Sequence, residues 1–168
     1  MKRDSERKEQ VISQIRLAFA DVTRPEADNI VIGHDPESVE VRIAFEGKDW
    51  HDIGVGVLVP QRMDSLCFMT PEAYHYYLPA YMITGIEVYY DSDLALDSAV
   101  DSLTKPEPQD GSYYRKESLD TFRRRIGLLS NEQKKAVRVF LEYLDSEHGD
   151  DYPIWGPRTA LERYWRSV

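Results

Sequence analysis

Glu72-Ala73-Tyr74-His75 sets a carboxylate three residues ahead of an imidazole, and Asp145-Ser146-Glu147-His148 repeats that spacing. On a helix, positions i and i+3 share one face, which is how helical bundles present carboxylate and histidine ligands to a dinuclear metal centre. Such a centre also needs inward carboxylates from two further helices, and Glu40 is the one isolated candidate. Glu72 and His75 are therefore weak metal-ligand candidates, and no cofactor is expected. His148 stands beside Gly149, where an imidazole would meet the terminal carbonyls of a helix. His34-Asp35 and His51-Asp52 are sequence neighbours whose side chains diverge along any regular element, so they read as surface or capping residues. Cys67, within Leu66-Cys67-Phe68-Met69, reads as a small apolar core residue. Asp91-x-Asp93-x-Ala95-Leu96-Asp97 lacks the glycine and the closing glutamate of a calcium loop. No nucleophile elbow, phosphate-binding loop or dinucleotide fingerprint is present, so the reading leans away from an enzyme.

Tyrosine and charge carry more information. Eleven tyrosines occur, and Tyr74, Tyr76, Tyr77, Tyr81, Tyr89 and Tyr90 fall within one short stretch. Tyr74, Tyr77 and Tyr81 share a helical face and read as an aromatic core with hydroxyls at its edge. Tyr89 and Tyr90, beside an acidic segment, are the choice for exposed tyrosines at a binding surface. The net charge is −9, from 21 basic and 30 acidic side chains, which excludes a general nucleic-acid binder. That charge is uneven: residues 1–114 carry −11 and residues 115–168 carry +2. Between Glu87 and Asp110, seven acids face only Lys105. Asp93, Asp97 and Asp101 recur at i, i+4 and i+8, a stripe that suits either a solvated face or a docking surface for a basic protein. Arg123-Arg124-Arg125, with Lys134, Lys135 and Arg138, reads as a basic patch or as the internal partner of that stripe.

The elements that must position these residues read as helices. Val11, Ile12, Ile15, Phe19 and Val22 recur at helical spacing in a segment from about Asp4 to Asp21, ended before Pro25. Asp35-Pro36-Glu37 starts a helix to about Phe45, and Thr70-Pro71-Glu72 starts another that Pro79 should kink or split. Ile53–Val59, with two glycines, reads as extended or irregular. A further helix spans Asp91 or Ser92 to Leu103, and Lys105–Gly111 is a loop by composition. Ser130-Asn131-Glu132-Gln133 is a capping box ahead of Val137, Phe140, Leu141 and Leu144, with Gly149 as the exit. The last helix starts at Gly156-Pro157 and places Leu161, Tyr164, Trp165 and Val168 on one face. The expected fold is all-α, a single-domain bundle over 1–168 of about five to six helices with short irregular or extended connections. One cysteine excludes an internal disulfide, and the apolar stretch Leu78–Tyr90 is too short to span a membrane. The N-terminus has no apolar signal region, so the expected location is the cytoplasm.

Phe68-Met69-Thr70-Pro71-Glu72-Ala73-Tyr74-His75-Tyr76-Tyr77-Leu78-Pro79-Ala80-Tyr81 resembles the F-L-T-P-E-A-x-x-Y-Y-L-P-A-Y core of an uncharacterised bacterial domain family. Gly47-Lys48-Asp49-Trp50, Leu128–Gln133, Val139–Leu144 and Tyr164-Trp165 extend the resemblance over most of the chain. It implies a small, stand-alone bacterial cytoplasmic protein and brings no activity or catalytic residues with it. The segment from Ser92 to Asp110 departs from the pattern. Three readings follow. The first is a non-catalytic interaction protein, immunity- or antitoxin-like in one version, that binds a basic partner through Asp93, Asp97, Asp101, Tyr89 and Tyr90. The others are a helical metal-binding protein or enzyme centred on Glu72 and His75, and a self-associating structural module.

Overall fold

The computed structural model describes residues 2–60, 64–92, 94–113, 115–152 and 154–168. Nine α-helices form among them: α1 (Lys2–Ala18), α2 (Pro36–Phe45), α3 (Val55–Leu58), α4 (Ser65–Phe68), α5 (Pro71–Glu87), α6 (Leu94–Leu103), α7 (Lys116–Gly127), α8 (Asn131–His148) and α9 (Pro157–Arg163). No strand occurs among the described residues; Val31 and Met69 make one isolated antiparallel bridge. The all-α class is as expected. The helix count exceeds the expected five to six because α3, α4 and α7 carry weak sequence signals. Ile53–Val59 is not extended: one helical turn closes there through Leu58 N to Gly54 O and Val59 N to Val55 O, both 3.0 Å. α7 starts from Arg115 without a side-chain cap, and only Phe122, Arg125 and Ile126 of its residues are buried.

The start signals translate directly into hydrogen bonds. Asp35 accepts from Ser38 N at 2.9 Å, Thr70 Oγ1 accepts from Ala73 N at 3.1 Å, and Pro36 and Pro71 follow as first helical residues. Ser130 and Gln133 complete the capping box, with Gln133 N donating to Ser130 Oγ and Ser130 N donating to Gln133 Oε1. Each such cap satisfies an amide that has no partner inside its helix and is worth about 1 kcal/mol.

By its contacts the chain divides into two compact units, Phe19–Ala99 and a second formed by Met1–Ala18 with Val100–Val168. In the first, α5 is buried almost all round, from Ala73 to Ile86. A helix that is apolar on every side belongs at the centre of a core. That burial explains why Pro79 does not divide α5: a mid-helix proline costs about 3 kcal/mol, and burying Leu78, Met82, Ile83 and Ile86 at about 1.5–3 kcal/mol each outweighs it. Tyr74, Tyr77 and Tyr81 are core residues, as their spacing predicts. Phe45 of α2 meets Tyr77 edge-on at 4.9 Å and stacks parallel to Tyr81 at 6.3 Å. Burial pushes the Tyr77 phenol up to about 12 and the Tyr81 phenol higher still; both therefore act as neutral donors or acceptors. Tyr77 donates to Phe45 O at 2.9 Å and to Lys48 O at 3.3 Å, closing the C-terminal end of α2, while Tyr81 bonds Ser65.

In the second unit, α1 and α9 lie against α8. Val11, Ile12 and Ile15 of α1 and Val137, Phe140, Leu141 and Leu144 of α8 are buried. Arg7 extends over the Tyr143 ring at 5.7 Å and pairs with Glu147 at 3.0 Å. Trp165, fully buried, donates its indole N–H to Leu103 O at 2.7 Å, closing the end of α6.

Two substitutions test this packing. A helical glycine replaced by alanine ordinarily gains up to about 1 kcal/mol. At Gly85, however, a Cβ would stand 2.4 Å from Leu96 Cδ1. Gly85→Ala should therefore lose about 1–3 kcal/mol on thermal unfolding. Tyr77→Phe should lose about 1 kcal/mol in urea titration, the low end of the range because Lys48 N still bonds Phe45 O at 3.1 Å.

Candidate interaction surface

α6 buries one side and exposes the other. Ala95, Leu96, Ala99, Val100 and Leu103 are buried, and Leu94, Asp97 and Asp101 are exposed at i, i+3 and i+7. Just ahead of it, Ser92 Oγ donates to Tyr89 O at 2.7 Å and Asp91 N donates to Val88 O at 2.8 Å, fixing a tight turn. This turn leaves Tyr89 half-buried and Tyr90 84 % exposed, the two rings meeting edge-on at 5.0 Å. Glu87 and Asp91 are exposed as well. Two of the three striped aspartates thus share the outward face of one helix, and an exposed aromatic ring stands in the turn ahead of it. Asp93, the third, lies outside the described residues. Carboxylates one turn apart on a helix repel by a few tenths of a kcal/mol; the helix keeps its place through its buried side.

Glu107 and Asp110, at the far end of the acidic segment, form a defined internal network. Arg163, 14 % exposed, reaches Asp110 through a two-pronged contact, Nη1 to Oδ2 at 2.9 Å and Nη2 to Oδ1 at 2.7 Å. It also donates to Lys105 O at 3.1 Å and stands 3.5 Å from Glu107. Glu107 N donates to Asp110 Oδ2 at 2.9 Å, so carboxylate and guanidinium are both held. Lys105–Gly111 is accordingly anchored by α9, and its 3-10 turn begins at Pro108. Sequence reasoning missed Arg163; a contact between residues 53 positions apart leaves no local signal. The basic triplet is not one patch. Successive helical residues point about 100° apart, so Arg125 is buried while Arg123 and Arg124 are exposed and reach Asp120 of their own helix.

The metal-ligand candidates are not brought to a common centre. Glu72 is exposed, and His75 is half-buried with its ring edge-on to Phe19 at 6.1 Å. Among the described residues, no group of three or more histidine, cysteine, aspartate or glutamate side chains gathers at metal-binding range. His148 Nδ1 faces Asp151 at 3.6 Å. Cys67 is exposed rather than core: the single turn of α4 directs Ser65 and Leu66 inward and turns Cys67 outward.

A second gathering of polar groups went unread in the sequence. Asp49 caps a 3-10 turn at Trp50–Asp52 by accepting from His51 N at 3.0 Å, and the same carboxylate meets His51 Nδ1 at 2.5 Å. His51 therefore pairs two residues back instead of with its neighbour Asp52, and its ring stacks on Trp50 at 3.6 Å. The His51 amide first, then its ring, holds the Asp49 carboxyl below its ordinary value. Burial raises the Tyr76 phenol next to it. The arrangement orients an imidazole, and its immediate effect is to brace the turn that follows α2.

A family model described as a family of unknown function, DUF6714, matches residues 7–168. The chain belongs to DUF6714. The match takes in both compact units, α6 and the Arg163 network. No curated protein and no solved structure matches this DUF6714 chain.

Hydrogen bonds from Arg163 hold the Asp110 carboxyl below its ordinary value of 3.8. The folded DUF6714 chain then takes up this proton less readily than the unfolded chain does. The contribution is complete above the unfolded value and is lost as pH falls through the folded one. Acid unfolding followed by circular dichroism should show stability falling below about pH 4, and Asp110→Asn should make that fall shallower. Arg163→Ala should cost about 3 kcal/mol at neutral pH by stranding a mostly buried carboxylate.

Proposed function

We propose that this DUF6714 member is a non-catalytic interaction protein that binds a basic protein partner through the acidic, tyrosine-bearing outward face of α6. The observation that carries the reading is the exposure of Tyr90, Asp97 and Asp101 on and beside a helix whose opposite side is core. Tyrosine is enriched among residues that dominate binding energy, and clustered carboxylates speed encounter with a cationic surface and select against acidic ones. Asp93 belongs to the same proposed stripe by sequence spacing. That residues 1–168 act as one domain fits a single family match that runs from residue 7 to 168 through both units, and a bacterial cytoplasmic setting is proposed from the motif resemblance of Phe68–Tyr81. Inhibition of a basic effector, as an immunity protein or antitoxin does, is one version. Among the described residues, no helix is long and apolar enough to cross a membrane.

Charge reversal provides the test. Affinity purification from the native cell at low salt, read by mass spectrometry, should recover a basic protein with the wild-type chain. The triple variant Asp93→Lys, Asp97→Lys, Asp101→Lys should lose that protein while keeping its helical circular dichroism. Retention of the same partner by the folded triple variant would reduce the stripe to a solvated face.

A further inference from the structure

We propose that Tyr90 and Leu94 are the apolar anchor of this surface, and that the partner element seated on it is a cationic amphipathic helix. The inference rests on the acidic-face reading above and adds where the binding energy lies and what shape receives it. Tyr90 is 84 % exposed and Leu94 46 % exposed, at the N-terminal end of a helix whose Ala95 and Leu96 are buried. Tyr89 props the Tyr90 ring edge-on at 5.0 Å, and Ser92 Oγ to Tyr89 O holds the turn that carries both. A ring presented by a braced turn loses little freedom on binding, which is the condition under which an aromatic contributes most. Asp97 and Asp101 follow one and two turns beyond Leu94, a span of about 10 Å along the axis.

The shape of the surface selects among partner elements. An extended segment binds by adding to a sheet edge, and no strand exists among the described residues to receive it. A small molecule needs a concave site, whereas this face is the convex side of a helix. A second helix matches it: side chains at i, i+3 or i+4 and i+7 form a ridge that seats in the groove between ridges of another helix. Leucine-type residues on that ridge would meet Tyr90 and Leu94, and lysine or arginine one turn further would meet Asp97 and Asp101. A second copy of this chain is the other occupant that the test distinguishes.

Two fluorescein-labelled peptides of equal charge and about 14 residues, four helical turns, test the anchor against charge alone. One is an amphipathic leucine/lysine helix, and in the other serine replaces every leucine. Anisotropy titration of the intact chain should show the leucine peptide binding about tenfold tighter or better. Tyr90→Ala and Leu94→Ser should each remove that advantage while the circular dichroism stays unchanged. Asp97→Asn with Asp101→Asn should instead slow association of both peptides and flatten its salt dependence. Equal affinity for the two peptides, or an unaffected Tyr90→Ala variant, sinks the anchor while the acidic face survives. Aspartate variants that bind both peptides as the wild type does sink the acidic face as well. Sedimentation equilibrium without peptide should show one species. A dimer that Tyr90→Ala disperses would make the occupant a second copy and overturn the proposal.

Discussion

Two buried aromatic donors close the open ends of helices. A helix leaves its last carbonyls without internal partners, and a buried carbonyl without a partner costs about as much as a lost hydrogen bond. Tyr77 supplies a phenolic O–H to Phe45 O at the end of α2, and Trp165 supplies an indole N–H to Leu103 O at the end of α6. Cations complete the first of these ends: Lys48 Nζ reaches Ala44 O at 2.7 Å and Arg24 reaches Gly47 O at 3.0 Å. Positive charge at a helix C-terminus is also what the backbone dipole favours. Gly47, with φ at +72°, makes the exit possible where a side chain would be strained. The Asp49–His51 turn begins directly after one of these closed ends, and α6, which carries the acidic face, terminates at the other.

How much of this was legible depends on whether the signal is local. Helix starts were readable at Asp35, Thr70 and Ser130, since the capping side chain and the amide it serves lie within three residues of each other. The tyrosine core was readable because Tyr74, Tyr77 and Tyr81 follow the helical period. α7 escaped because its start has no cap and its charged residues outnumber its buried ones. The closures by Tyr77 and Trp165 join residues 32 and 62 positions apart, and nothing in the local pattern announces them. For the site, the outward placement of Asp97 and Asp101 followed from period alone. The capture of Asp110 by Arg163 did not, nor did the pairing of His51 with Asp49, which depends on a turn too short to leave a periodic trace.

The acidic segment is therefore two structures under one composition. Its far end, Glu107 and Asp110, gathers on one arginine and anchors a loop. Its near end, around Tyr90, Asp97 and Asp101, faces outward on α6. A net charge counted along the sequence merges these roles. The first is spent largely within the chain, because a carboxylate already bonded to a guanidinium adds little field outside the pair. The sequence-level excess thus overstates the part of the charge available for encounter.

Thr70 ties a local event to a distant one. Its hydroxyl accepts from Ala73 N to start α5 and donates to Asn29 O at 2.7 Å, while its amide donates to Ile30 O at 3.0 Å. The first turn of the central helix is thus bonded to a segment 41 residues earlier in the chain. A helix start that is ordinarily decided among neighbours here involves closing a long loop, which carries an entropic cost. The start of α5 is consequently held from two sides, by Ala73 of its own first turn and by the backbone of Asn29 and Ile30 far earlier in the chain.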